Sequence, residues 1–193
     1  MDTHHEHDQS HCNSDHGEGQ FIKEEKDQIH ISAKDMSIAW SKDERFWKWT
    51  ADHPQERCDS SETVAELIQV SGFQVQGSLD LEKHSLHHQK TYEVIYHIKF
   101  KVDAFGWHDL PVTFAVATPD GHRKIKTETL ESYRRTHDWV EIHGGDFELA
   151  ADHTKGKVEF GMYETESQKW KGGMVLSHVT IRPKFPAAGC CHH

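Results

Sequence analysis

The longest alternating run in the chain is Tyr92, Val94, Tyr96, Ile98 and Phe100, with Glu93, His97, Lys99 and Lys101 between them. Apolar side chains at every second residue leave a strand on one face, so this run predicts a strand half-buried against a core. The same period marks Phe73, Val75 and Leu79, and again Val158, Phe160 and Met162 against Glu159, Gly161 and Tyr163. Shorter apolar stretches at 64–70, 112–117, 139–147 and 175–182 supply further strands, the third of them softening into a bulge or strand end at Gly144-Gly145. Pro119-Asp120-Gly121 predicts a tight turn into a strand at 123–129, because proline presets one torsion and glycine accepts a positive φ. Residues 130–135 have room for one helical turn, 103–109 read as a loop displaying Phe105 and Trp107, and Pro183 and Pro186 end the last strand. Nine or ten short strands with turn-rich links and no long helix predict an all-β fold, an antiparallel β-sandwich of the jelly-roll kind. The missing crossover helices exclude a parallel α/β sheet.

One stretch does not fit simple alternation. Residues 35–49, DMSIAWSKDERFWKW, place three of the six tryptophans within ten residues, interleaved with Lys42, Asp43, Glu44, Arg45 and Lys48. So many indoles amid charge are not expected all to point inward. The pattern predicts two short strands joined by a polar loop, with Ile38 and Trp40 on one face and Trp47 and Trp49 together on another. An exposed indole beside hydrogen-bonding groups suits a flat amphipathic ligand such as a sugar ring. The competing reading makes these residues core and rim aromatics of a small β-domain.

Composition divides the chain into a tail at 1–28, a domain at 29–184 and a short end at 185–193. The first part holds eight acidic residues, two lysines and almost no large apolar side chains, so disorder is expected there. Its His4, His5, His7, His11 and Cys12 suit at most a loose metal contact, so neither a metal nor a cofactor is expected. Without an 18-residue apolar run or an apolar export segment near Met1, no membrane insertion and a cytosolic start are expected. The net charge of −10 disfavours a nucleic-acid groove, and RNA is not an expected partner. Cys12, Cys58, Cys190 and Cys191 fall in polar or terminal segments without C-x-x-C spacing, which leaves disulfide-linked partners open as an alternative.

The blocks DMSIAW, RFWKW, VAELIQV, the Tyr92 strand, DWVEI, VEFGMYE, WKGGMV and VTIRPK occur in one order over residues 29–184. Together they resemble the phloem protein 2 family of plant phloem lectins, relatives of the tobacco lectin Nictaba. The resemblance implies a β-sandwich that binds N-acetylglucosamine oligomers (chitooligosaccharides), and in some members N-glycan cores or glycoproteins. It also implies a homodimer located in the cytoplasm and nucleus or in phloem sap. By matching motifs, Trp40 and Trp47 take the sugar-binding tryptophan positions and Glu164 the second of two acidic ones. The first acidic position falls on Lys157, with Glu159 two residues on, and the turn Trp170-Lys171-Gly172-Gly173 has lost a hydroxyl of the family pattern. The resulting candidate ligand set is Trp40, Trp47, Glu164, Lys171, Trp170 and Glu159.

Catalysis is the obvious rival to binding, since carboxylates and indoles also line glycosidase sites. Glu159 and Glu164 stand about 16 Å apart along a continuous strand, too far for the ~5–9.5 Å separation that glycoside hydrolysis needs. No other catalytic signature is present, and the 19 histidines are scattered through loops and outward strand positions. A lectin is therefore expected, not an enzyme. A cross-linked structural or interaction protein with a vestigial sugar site is the alternative.

Overall fold

The computed structural model describes residues 22–25 by their backbone and residues 28–51, 63–87, 90–152 and 154–185 in full. Twelve strands are formed among them: β1 (Ile22–Glu25), β2 (Gln28–Ser32), β3 (Ser37–Ile38), β4 (Trp47–Thr50), β5 (Val64–Leu67), β6 (Phe73–Asp80), β7 (Thr91–Phe105), β8 (Pro111–Ala117), β9 (Arg123–Thr129), β10 (Val140–Glu148), β11 (Lys157–Glu164) and β12 (Gly172–Pro183). The helical turn α1 (Glu131–Arg134) falls inside the predicted 130–135 segment, and a 3-10 turn at Ala33–Asp35 lies between β2 and β3. The all-β sandwich read from the alternation is thus the architecture of the protein.

The strands form two antiparallel sheets. In the seven-stranded sheet the long β12 carries β7 along one edge and, end to end on the other, β2 and β5; β1 extends β2, β4 extends β5 and β10 extends β7. The five-stranded sheet runs β3-β6-β11-β8-β9. The inward residues are those the period of two selected: Tyr92, Val94, Tyr96, Ile98 and Phe100 from one sheet meet Phe73, Val75, Leu79, Val158, Phe160 and Met162 from the other, all buried. Gly144-Gly145 does form a bulge in β10. A Cβ on Gly144 would collide with the Tyr96 ring at 2.3 Å, so the absence of a side chain there lets β10 lie against a core aromatic.

Several expectations from sequence are corrected. β7 runs on through 103–105, where a loop was expected, and Trp107 is not displayed: it is 1% exposed and its Nε1–H donates to the Gly172 carbonyl at 2.9 Å. The strand pairing reaches back to Ile22–Glu25, inside the stretch assigned to the acidic tail. Disorder and metal contact in the rest of that tail, and the four cysteines, lie outside the described residues. The histidines are not all scattered either. His30, His97 and His178 gather around Thr180 on the outer face of the larger sheet, with the His97 and His178 rings stacked at 3.9 Å.

The topology fixes one end of the molecule. Residues 39–46 (β3 to β4), 68–72 (β5 to β6), 165–171 (β11 to β12) and 106–110 (β7 to β8) each pass between the sheets. Strand order in both sheets sets these four crossovers side by side, in that sequence, at the same end.

Candidate functional site at the crossover end

The first crossover displays Trp40. β3 stops at Ile38, Ala39 N–H donates to the Gln74 carbonyl at 3.0 Å, and the chain then turns through Trp40 with φ at 68°. That left-handed region is uncommon for any residue with a side chain, and a bulky one there is held at a cost. The local frame holds it: Asp43 N–H donates to the Trp40 carbonyl at 3.0 Å, and the indole leans edge-on against Phe46 with centroids 5.8 Å apart. Arg45 covers Phe46, at 5.3 Å from its ring centre, and is pinned by a two-pronged bond to Asp43. The outcome is an indole 65% exposed on a braced turn.

Trp47, seven residues on, does the opposite. In β4 it pairs with Leu67, points between the sheets and is 1% exposed, so it is a core residue and unavailable to a ligand. Trp49 shares its face, as alternation predicted, and packs half-buried against the same core. The charged neighbours that suggested exposure belong to the turn and to the outward Lys48. Trp47 Nε1 has no hydrogen-bond partner among the described residues, an uncommon condition for a buried donor.

The third crossover is built on a buried ion pair. Lys171 and Glu164 meet at 2.5 Å with side chains 0% and 5% exposed. Glu164 Oε1 also accepts from the N–H of Ser167 at 2.8 Å and of Glu166 at 3.2 Å, while the Lys171 ammonium donates to the Ser71 carbonyl of the neighbouring crossover at 2.8 Å. Burial pushes the Glu164 carboxyl up, but the bonds from Lys171 and Ser167 outweigh it and hold the group below its ordinary value. Both residues were expected to bond ligand hydroxyls. The bonds they make lie within the protein, where they tie the ends of the 165–170 loop and fasten it to 68–72.

That loop leaves Trp170 54% exposed. Trp40 and Trp170 therefore stand on the same end of the sandwich two crossovers apart, Trp40 just past β3 of the five-stranded sheet and Trp170 just before β12 of the seven-stranded one. Phe105, 45% exposed, adds a third aromatic where β7 enters the fourth crossover. Glu159 is not part of this group: it lies on the outer face of the five-stranded sheet, whereas Glu164, further along the same continuous strand, is buried. The two carboxylates do not converge on one space.

One set of described residues brings three metal-capable atoms within 4.8 Å of one another: Glu93, His143 and Asp146. Arg182 bonds Glu93 at 2.8 Å and Lys184 bonds Asp146 at 2.6 Å. Both carboxylates are thus neutralised by cations that a metal would have to displace. The cluster acts as a clamp between β7, β10 and the end of β12. No helix among the described residues is long and apolar enough to cross a membrane.

An antiparallel β-sandwich with a row of exposed aromatics on its inter-sheet crossovers is the class that fold and site define. The chain belongs to the phloem protein 2 family, whose sequence profile matches residues 26–183. Protein PHLOEM PROTEIN 2-LIKE A2 of Arabidopsis thaliana is 37% identical over 121 residues, covering 63% of this chain and 60% of the relative. PHLOEM PROTEIN 2-LIKE A1 of the same plant is 31% identical over 159 residues, 80% of this chain and 61% of the relative. A protein of Luffa acutangula named Lectin is 29% identical over 154 residues, 80% of this chain and 69% of its own. The chain thus spans about three-fifths of the length of the two Arabidopsis relatives.

Proposed function

We propose that this domain is a carbohydrate-binding lectin of the phloem, selective for N-acetylglucosamine oligomers and the cores of N-glycans, and that it works as a homodimer without catalysing a reaction. The observation that carries this reading is Trp40: a large apolar side chain held exposed, in a costly backbone conformation, on a turn with its own bracing. An exposed indole adds nothing to a core, so a ligand gives that arrangement a reason. Membership of a family with a relative named Lectin supports the ligand class.

In this reading Trp40 stacks on one pyranose face and its acetamido methyl, and Trp170 offers a second platform to a longer oligomer. Glu164 and Lys171 are positioning residues that hold the Trp170 loop in place, and Trp47 anchors β4 beneath the turn. A single stacked ring is worth about 0.5–1.5 kcal/mol and each hydrogen bond about 1 kcal/mol. One open site therefore binds at micromolar or weaker affinity and gains through pairing of sites in a dimer. Calorimetry with chitotriose tests this. Trp40→Ala is expected to weaken binding about tenfold, the equivalent of about 1.4 kcal/mol. Unchanged affinity in a variant folded by circular dichroism would remove the assignment.

A further inference from the structure

The outer face of the five-stranded sheet carries a trough that the crossover-end site does not use. Its composition follows from register. One row across the sheet reads Gln76, Gly161, Ala115, Ile125, each directly opposite the next on β6, β11, β8 and β9. The flanking rows are Gln74, Tyr163, Thr113, Thr127 and Ser78, Glu159, Ala117, Arg123. The middle of the first row has almost no side chain, while its ends, Gln76 and the 58% exposed Ile125, stand clear. Gly161 and Ala115 are accordingly buried although they face outward, as the bottom of a recess must be. The recess is lined by Gln76, Ala115, Ala117, Arg123, Glu159 and Tyr163, among others. At ordinary strand geometry it measures roughly 14 Å across the strands and 13 Å along them.

The lining selects among occupants. Glu159 and Arg123 bring one negative and one positive charge, so the recess is locally neutral and has no cluster of cations for phosphates. Amide, carboxylate, guanidinium and phenol give donors and acceptors of both kinds around a flat floor of small residues, with the Tyr163 ring forming one wall. Arg123 already reaches over the floor, its Nη2 3.4 Å from the Tyr163 hydroxyl, a long bond that a ligand hydroxyl can replace. A folded protein partner needs about 800 Å² of matching surface, far more than this recess offers. A sugar ring matches it: an apolar C–H face to lie on Ala115, Gly161 and Tyr163, and hydroxyls at its rim.

We propose that this trough is a second carbohydrate contact surface, taking a segment of a neutral hexopyranose or pentopyranose chain through Gln76, Glu159, Arg123 and Tyr163, and that it binds independently of Trp40. The inference shares only its ligand class with the crossover-end reading. Two sites on different faces let one chain engage two sugar segments, or a long polymer wrap from the sandwich end onto the sheet, with a gain in avidity.

The test is amide-resolved NMR on the full chain titrated with chitohexaose, cellohexaose, mannohexaose and xylohexaose. In a Trp40→Ala background, at least one of these is expected to shift the amides of Gln76, Ala115, Ala117 and Gly161. Those shifts should be lost in the Arg123→Ala/Glu159→Ala protein, whose changes touch only exposed side chains, while the residues 39–46 of that protein respond to sugar as in the unmodified chain. The proposal is overturned if no sugar moves the trough amides, if their shifts vanish with Trp40, or if they survive the double substitution. Loss of the response at 39–46 alone would count against the crossover-end site and leave the trough standing.

Discussion

Crossovers 39–46 and 165–171 join the same two sheets at the same end of the molecule, yet they are held by opposite means. The first is stabilised from outside: an exposed Asp43–Arg45 pair, Arg45 over Phe46, and Phe46 against an indole that faces solvent. The second is stabilised from inside, by a lysine with no exposed surface bonded to a nearly buried glutamate, each with a further partner in the backbone. The difference teaches where sensitivity lies. Exposed contacts are individually small and replaceable, so the first crossover tolerates change in everything except the surface it presents. A buried ion pair contributes little net stability when complete but leaves a desolvated charge when halved, so the second is sensitive in its structure.

The largest effect that follows is on folding. Lys171→Ala leaves Glu164 buried without its ammonium and is expected to cost about 3–5 kcal/mol, the range for a broken buried pair. The check is urea unfolding beside Lys171→Met/Glu164→Leu, which removes both charges. The double variant should recover most of the loss, although the N–H groups of Glu166 and Ser167 and the carbonyl of Ser71 lose their partners. A double variant as unstable as the single one would show that the two side chains act through packing and not through charge.

Acid should reveal the same pair more gently. The Glu164 carboxyl is held below its ordinary value of 4.5, so folding depresses its proton affinity. A depressed carboxyl contributes stability that is complete above the unfolded value and is lost as pH falls through the folded one. The fall therefore comes below about pH 4.5. Asp146 shifts in the same direction through Lys184 and His143, against the upward push of its burial, so the unmodified protein loses stability from more than one source. Midpoints of unfolding from pH 7 to pH 2 should slope less in Glu164→Gln than in the unmodified chain. Parallel slopes would place the acid sensitivity elsewhere.

How far the residues alone disclose these features depends on the range of the interaction that makes them. Period-two alternation is local, and it placed Tyr92 to Phe100 and Val158 to Met162 correctly; the glycine pair Gly144-Gly145, equally local, marked a bulge or strand end, of which the bulge is what forms. It also put Tyr163 and Glu159 on the outward face of β11 and Trp47 with Trp49 on a shared one. It was silent on which side of β4 the second sheet would lie, and that decided that Trp47 is core while Trp40 is not. The Glu164–Lys171 pair misled for the same reason: polar side chains at the end of a strand read as ligand groups until Ser71, on a third segment, is seen to close the set. Trp107 was read as displayed because its acceptor, the Gly172 carbonyl, lies 65 residues away. The trough was invisible because it needs the register of four strands, although alternation put its β11 members Glu159, Gly161 and Tyr163 together on the outward face.

The smallest expected effect bears most directly on why the first crossover exists. Trp40 has a φ of 68°, where a residue with a side chain is disfavoured by about 1–2 kcal/mol and glycine is not. Trp40→Gly should relax the backbone while losing the edge contact with Phe46, two terms of similar size and opposite sign. The unfolding free energy of Trp40→Gly should accordingly stay within about 1 kcal/mol of that of the unmodified protein, and above that of Trp40→Ala, which loses the ring and keeps part of the strain. Sugar binding should fall equally in both. If the glycine variant is much less stable than the alanine one, the indole is a structural member of the turn, and the crossovers differ only in how they are built. If stability holds while binding is lost in both, the protein keeps a costly conformation at this position for the sake of what the ring touches.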